Sequence, residues 1–503
     1  MSGVVATSQL RFALLLTALS TLGACASAQG HGTSPPARQT LEAAPLAPQT
    51  RALPSGLKVV TLPAPDGVFT AGLLIGGGPL DDPADLPGLT ELAVQAAMLG
   101  TSGDPDGQRP VQRALAAGGA LHTVVDGRVF GWLVRAPSAA TRPLLQLLHD
   151  LGTAPTLPAS RFEILLAMAR EQVATEGLGG TGTGIAVAIG TALGLGRAVP
   201  LGPTRETLER VNREDVLRQF KRAVRPDRAV LIVQAPPGFK LPADILEAFA
   251  AWAPAALPSD AAQPEIRQPC LPLGQTLHRI ATDDAAKTRS IALVAAAAPG
   301  VGDPERDALE SLTVWLAERP GGPIERVVGP DEALRAHPWV LDLGWGGGRG
   351  VAVLLSAAGG DNDQAAKNLR ALSQLLADQA ATTVLSPEQA ADAHRAVAGQ
   401  SRLALAAPLT GLIALGTRAL YSVRDTAPDA ESIHAMAARW LAPHRQSLVV
   451  VGFADLSTDA DERVHESVWD DAGRLARDEA PIRCVPLDVL RRQMPVDSAA
   501  PPR

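Results

Sequence analysis

Tyrosine is almost missing from this chain: Tyr421 is the single one in 503 residues, and aromatic residues make up 3%. Chemistry that relies on a phenol therefore has one candidate. Lysine is scarce too, at five of 45 basic residues, and no basic block or aromatic-basic interleaving occurs. With 45 basic against 52 acidic residues and a formal charge of −7, no nucleic-acid surface is written here. The three cysteines include no Cys-x-x-Cys, and none of the nine histidines has another three or four positions away, so no zinc site is encoded locally. No Gly-x-Ser-x-Gly is present, which removes the commonest serine-hydrolase reading. Residues 177–184 are glycine-rich, but no Gly-Lys-Ser/Thr follows and no strand precedes, so this stretch reads as a mobile loop and not a phosphate cradle.

What is present is an apolar share of 46% with 19% charged residues, a globular composition long enough for two to four domains. Residues 1–24 carry Arg11, an apolar stretch and then small residues, the layout of a secretory signal. Leu22-Gly23-Ala24-Cys25 has the form of a bacterial lipobox, which would make Cys25 an acylated N-terminus; a plain signal-peptidase site nearby is the other reading. Ala26 after the cysteine points to the outer membrane, facing the periplasm. Residues 25–50, rich in Ser, Pro, Ala and Gly, read as a tether. The best later apolar run, 403–417, is interrupted by Pro408, Gly411 and Gly416 and is too short to span a bilayer. An oxidising compartment leaves Cys270 and Cys484, which sit in matching Cys-x-Pro-Leu contexts, either as a disulfide or as two separate buried thiols.

The chain repeats itself. Arg222, Pro226 and Arg228, leading into an apolar run from Ala229, pair at one constant offset with Arg439, Pro443 and Arg445, leading into Ser447. Residues 70–75 followed by Gly76-Gly77-Gly78-Pro79 match 290–295 followed by Ala296-Ala297-Ala298-Pro299. Ser160 with Glu163, and Ser386 with Gln389, have the spacing of a capping box, in which a hydroxyl and an acid or amide reciprocally satisfy orphan N–H groups at a helix start. Apolar runs at 120–134 and 340–356 read as hairpins. Each half thus reads strand, strand, helix, hairpin, helix, helix, strand. The implied fold class is α+β, two tandem homologous domains, each a mixed or antiparallel sheet flanked by helices. The boundaries are 51–253 for the first domain, 254–272 for a linker, 273–478 for the second domain and 479–503 for a tail. Apolar small-residue runs at 185–196 and 295–298 read as close-packed core.

In the first half, Leu53-Pro54-Ser55-Gly56-Leu57-Lys58-Val59, then Gly88-Leu89-Thr90-Glu91-Leu92 running to Gly100-Thr101, then Gly118-Gly119-Ala120-Leu121, and finally Arg170-Glu171-Gln172-Val173-Ala174-Thr175-Glu176 occur in that order. In order and spacing they resemble the insulinase/pitrilysin family of inverted-zincin metallopeptidases, the group that includes mitochondrial processing peptidase. The resemblance spans about residues 50–455. It implies a shell of two halves around a chamber, with an edge strand able to bind extended peptide.

Active members carry His-x-x-Glu-His, in which two histidines hold zinc and the glutamate between them is the general base. Those three positions here are Glu91, Val94 and Gln95. Val94 can neither accept a proton nor orient water, so no catalytic residue is assigned. The resemblance places the third ligand at Glu176, or at Glu171 if the alignment slips, and with Glu91 these would form a carboxylate set poor for zinc. His122 falls where the family has an Asn beside the substrate strand, and Arg326 lies near its substrate-holding Arg. Tyr421 is out of register with the family's Tyr. The expectation is a lipid-anchored envelope protein without cofactor, leaning away from enzyme activity, that partners an active metallopeptidase subunit and contacts extended peptide. The alternatives are a metalloendopeptidase with an atypical zinc site and a structural envelope scaffold.

Overall fold

The structure, a computed structural model, describes residues 48–451 except 65–67, 105–107, 176–178, 196, 237, 255–269, 273–275, 281–290, 319, 334–335, 345–349, 358–361, 383–384 and 424–425, together with 465–469, 475–478 and 484–486. Cys25, Glu176, the proposed signal segment and most of the tether lie outside the described residues.

The strands of the first half are β1 (Gln49–Ala52), β2 (Lys58–Pro63), β3 (Val68–Gly76), β4 (Ala120–Val125), β5 (Val129–Pro137) and β6 (Ala229–Ala235), arranged β1-β2-β6-β3-β5-β4. The apolar runs of β3, β5 and β6 are buried on both faces, as central strands of a covered sheet must be, whereas the edge strand β1 is exposed. The short β7 (Cys270–Pro272) follows. The second half supplies β8 (Thr276–Ile280), β9 (Ile291–Ala298), β10 (Ala336–Asp342), β11 (Gly350–Ala357), β12 (Gln446–Val451), β13 (His465–Trp469) and β14 (Leu475–Asp478), arranged β10-β11-β9-β12-β8-β13-β14. The five-strand cores are the same. β2 runs parallel to β6, β6 antiparallel to β3, β3 to β5 and β5 to β4; β8, β12, β9, β11 and β10 repeat each relation in turn. The sequence duplication is thus a duplication of topology. β15 (Cys484–Pro486) pairs antiparallel with β7, so the linker and the tail meet; Cys270 stands opposite Pro486 and Cys484 opposite Pro272.

The first half's helices are α1 (Leu89–Ala97), α2 (Pro110–Ala116), α3 (Thr141–Thr153), α4 (Ala159–Thr175), α5 (Gly179–Ala192), α6 (Arg205–Arg210), α7 (Arg213–Ala223) and α8 (Ala243–Ala250). Those of the second are α9 (Arg306–Leu316), α10 (Pro323–Val328), α11 (Pro330–Ala333), α12 (Asn362–Ala381), α13 (Pro387–Ala406), α14 (Pro408–Tyr421) and α15 (Ala430–Trp440). The Ser386–Gln389 capping box forms, with Gln389 N donating to Ser386 Oγ at 3.2 Å and Ser386 N to Gln389 Oε1 at 2.9 Å. Ser160 differs: Phe162 N already donates to the Pro158 carbonyl at 3.0 Å, so the helix begins earlier and Ser160 lies inside its first turn. The glycine-rich stretch expected as a mobile loop instead starts α5 at Gly179.

α5 and α14 show why both stretches are built of small residues. α5 leaves its own half and packs on β9 and β12, where Val187, Ala188, Ile189 and Ala192 join the core of the second half. In return α14 lies on β3 and β6, closing Leu412, Ile413 and Leu420 against Val60, Leu74, Val230 and Ile232. A helix axis approaches a sheet this closely only where Cβ atoms are small or absent. A Cβ on Gly416 would stand 2.5 Å from Leu74 Cδ1 and 2.7 Å from Ile232 Cδ1. Polar contacts lock the exchange at both places: Thr191 Oγ1 and Ser447 Oγ are 2.5 Å apart, and Lys58 Nζ donates to the Ala419 and Leu420 carbonyls at 2.6 and 3.3 Å, closing the C-terminus of α14 with a cation. The two halves therefore share their cores and do not face one another as separable lips.

Among the described residues no single helix is long and apolar enough to cross a membrane. α13 and α14 pass that test only as a pair bent by 118°, and the apolar side of α14 is covered by the first sheet.

Candidate functional site

α1 carries Glu91, Val94 and Gln95, the positions that the sequence resemblance assigns to the family's zinc ligands and base. Its N-cap is Gly88, with φ 80°, which no side chain caps locally; a Cβ there would meet Pro203 N at 2.0 Å. Asp82 caps the helix from upstream instead. Its carboxyl accepts from Gly88 N and Thr90 N at 2.8 Å each, from Thr90 Oγ1 at 2.5 Å and from Gln219 Nε2 of α7 at 3.3 Å. An acid at a helix N-terminus faces the positive end of the dipole. Burial nevertheless pushes Asp82 up to about 7, against the donors that favour its ionised form.

With its start fixed, α1 presents its residues in a set order. Leu89, Leu92, Ala93, Val94, Ala96 and Ala97 enter the first core. Val94 is fully buried there, and its carbonyl accepts from Trp132 Nε1 at 3.3 Å. Glu91 is buried, with Oε1 accepting from Gln95 Nε2 at 3.1 Å, while Gln95 is half-buried. The motif positions thus form a carboxylate–amide pair beside an aliphatic side chain. Such a pair can hydrogen-bond a peptide group, but neither it nor valine supplies the basic nitrogen donors that zinc favours.

The remaining sequence candidates are not gathered around α1. Thr123 and its opposite number Trp132 belong to the sheet face that packs on α1, whereas His122 and its opposite Leu133 belong to the face turned to α14. His122 and Glu91 therefore lie on opposite sides of the sheet; half-burial lowers the His122 pKa, so its ring is neutral at pH 7. Glu171 is exposed on α4, on the side away from the buried Phe162, Leu165, Leu166 and Ala169. Arg326 is exposed on the six-residue helix α10. Among the described residues no group of three or more His, Cys, Asp and Glu is placed to hold a metal ion.

A charged seam that local patterns do not disclose joins the two halves. Arg306 grips Asp342 through two bonds of 3.0 and 2.9 Å, both side chains being buried. Arg128, at the turn between β4 and β5, lies 3.2 Å from Asp126 and 3.9 Å from Asp342, and Leu80 N donates to the Leu343 carbonyl at 2.8 Å. Tyr421 ends α14 here, its hydroxyl donating to the Arg128 carbonyl at 2.6 Å; burial holds the phenol above its ordinary pKa, so it stays protonated. The single tyrosine is a latch between the halves. Its partners are separated by hundreds of residues in the chain, which is why no motif announces them.

Each sheet also leaves one edge strand from its hairpin, β4 in the first and β10 in the second. An added strand needs N–H donors along that edge. β10 carries Pro338 as its third residue, which has none, whereas β4 contains no proline.

Two sheets of one repeated order, each flanked by helices, can be set against known structures. A protease from Helicobacter pylori superposes with a TM-score of 0.65 at 13% identity, covering 81% of this chain and 100% of that one. The peptidase M16 inactive domain from Pseudomonas fluorescens superposes with a TM-score of 0.64 at 17% identity, covering 81% of this chain and 98% of that one. The fold is that of the M16, or insulinase/pitrilysin, peptidases. No protein-family model matches the sequence, and no curated protein matches it either.

Proposed function

We propose that this chain is the non-catalytic partner of an active M16-type metallopeptidase, anchored by Cys25 to the periplasmic face of the outer membrane. It contributes chamber wall and peptide contacts while the other subunit carries zinc. The observation that supports this reading is Val94: an apolar side chain sealed in the core stands at the position that the sequence resemblance gives to the base, with Glu91 and Gln95 at those it gives to the two histidines. Likeness to an inactive M16 domain is consistent with it. The exchange of α5 and α14 adds a second support. Because the two halves share cores, the chain cannot open between them to admit a peptide, so an accessible chamber calls for a second subunit.

Extended peptide would add to β4, the edge free of proline, and not to β10. Thr123 would flank it on the side of α1 and His122 on the other. Native mass spectrometry of the detergent-extracted protein from its own host tests the whole reading in one spectrum. The expected result is a lipid-modified, metal-free chain paired with a zinc-bearing homologue. A lone chain or homodimer with one zinc per subunit overturns it and directs attention to Glu91, Glu171 and Glu176 as ligands.

A further inference from the structure

At one end of the first sheet the C-terminal ends of β2, β5 and β6 meet the N-terminal ends of β3 and β4: Pro63 stands opposite Ala235, Val68 opposite Pro137 and Ala120 opposite Arg135. The chain enters the fold here, because Gln49, at the start of β1, pairs with Thr61 near the end of β2. α14 starts here as well. Its last turn is held at the other end, by Lys58 at the start of β2 and by the Arg128 carbonyl at the β4–β5 turn. The 14 residues of α14 and the six of β2 each span about 20 Å, so the first turn of the helix, with Leu409, reaches the end marked by Leu62.

What sets this end apart is exposed apolar surface. Among the described residues the two most exposed large apolar side chains are Leu403, at 74%, and Leu115, at 64%, and both are here. Leu403 and the exposed Leu405 lie in the last turn of α13, where the 118° bend into α14 makes an apex. Leu115 lies in the last turn of α2, which is drawn to the end of β5: Gly119 N donates to the Ala114 carbonyl at 2.8 Å, and a Cβ on Gly119 would stand 2.9 Å from Ala136 Cβ. No charged residue occurs from Leu403 to Thr417. Around the apolar groups are the exposed cations Arg402 before the apex, Arg135 near the end of β5, Arg142 at the start of α3 and Lys240 in the loop after β6. The acids at this end are Asp244, which accepts from Arg142 at 2.6 Å, and Asp66 between β2 and β3, outside the described residues. Apolar side chains beside cations suit the boundary between acyl chains and phosphate headgroups. Residues 26–47, 22 in all, separate Cys25 from the first described residue, Pro48. A coil of that length has a root-mean-square span of about 23–28 Å. A lipid on Cys25 therefore keeps this end, and not the opposite one, beside the bilayer, where the high local concentration makes a weak second contact effective.

We propose that this end of the first sheet rests on the bilayer, with Leu403, Leu405 and Leu115 entering the headgroup layer and Arg402 and Lys240 meeting lipid phosphates. The proposal rests on the reading of Cys25 as the lipid anchor. Arg128 and Tyr421, at the opposite end of the sheet, are then turned away from the membrane.

The test uses the full chain, extracted from its own host and reconstituted on vesicles of phosphatidylethanolamine and phosphatidylglycerol with brominated acyl chains, which quench tryptophan fluorescence only within the bilayer. Leu403→Trp adds a fluorophore at the apex, and Asp227→Trp adds one at the opposite end, in the turn before β6; both positions are exposed, so the fold is kept, and the seven native tryptophans give a common background. The emission that Leu403→Trp adds should be largely lost on brominated vesicles and kept on unbrominated ones, while the emission that Asp227→Trp adds is kept on both. Intact mass of the same sample separates this docking from the anchor on which it rests. A chain without an acyl group overturns the Cys25 reading and the docking with it. An acylated chain that keeps the Leu403→Trp emission on brominated vesicles, or loses emission equally at both positions, overturns the docking alone and leaves the apex to a protein partner.

Discussion

Replacing Gly416 by alanine tests the helix exchange directly, provided it is compared with Gly399→Ala in the preceding helix. Both glycines are in helices, so each substitution gains about 0.8–1 kcal/mol of helix propensity. They differ in what the new methyl meets. At Gly399 nothing lies within 4 Å, whereas at Gly416 the methyl falls 2.5 Å from Leu74 Cδ1 and 2.7 Å from Ile232 Cδ1, both of which are themselves fully buried. Overpacking of that kind costs about 1–3 kcal/mol. Gly399→Ala should therefore stabilise the chain by up to about 1 kcal/mol. Gly416→Ala should fall below it by about 1–3 kcal/mol, a gap free of the shared propensity gain. Urea unfolding followed by far-ultraviolet circular dichroism measures both, and shared cores predict one transition for the two halves. Equal stability of the two variants would refute the seating of α14 on β3 and β6.

Three more outcomes follow from the same contacts. Ile232→Ala empties a fully buried site between the first sheet and α14, and should cost about 2–5 kcal/mol while lowering the unfolding midpoint of both halves together; loss of the first half alone in hydrogen exchange would contradict the shared core. Lys58→Met keeps the stem but removes two charge-assisted bonds to the end of α14, for an expected loss of about 1–3 kcal/mol in the same urea assay. The pH dependence contains two opposed contributions. Asp82 is raised to about 7, so its contribution is present below pH 3.8 and is lost as pH rises through 7. His278, buried on β8 and lowered to about 4, contributes above pH 6.5 and loses that contribution as pH falls through 4. Asp82→Asn should make stability rise more steeply with pH between 4 and 6.5, and His278→Gln should make it rise less. Each change in slope is bounded by one proton, about 1.4 kcal/mol per pH unit. Unfolding free energies at pH 4.5, 5.5 and 6.5 decide the signs.

The repeat was legible because it is local: the strand-entry patterns at Arg222–Arg228 and Arg439–Arg445, the hairpins and the Ser386 cap depend on residues a few positions apart. The residue types at Glu91, Val94 and Gln95 were legible for the same reason, since the three lie within two turns of one helix. Ser160 was misplaced by that logic because Pro158 begins the helix before the hydroxyl can cap it. The glycines at 179–184 were misread because small residues signal either freedom or close approach, and only a partner surface distinguishes them.

By itself, then, the sequence determined the α+β class, the duplication and the side-chain types that α1 carries, all of which follow from short-range periodicity and side-chain type. Only the tertiary structure decided that each half lends a helix to the other, that Asp82 reaches upstream to hold α1, that His122 and Glu91 lie on opposite faces of a sheet, and that Arg306, Asp342, Arg128 and Tyr421 meet at one seam. Those are contacts between residues far apart in the chain. Burial and complementary shape select them, and no local pattern encodes which distant surface will be met.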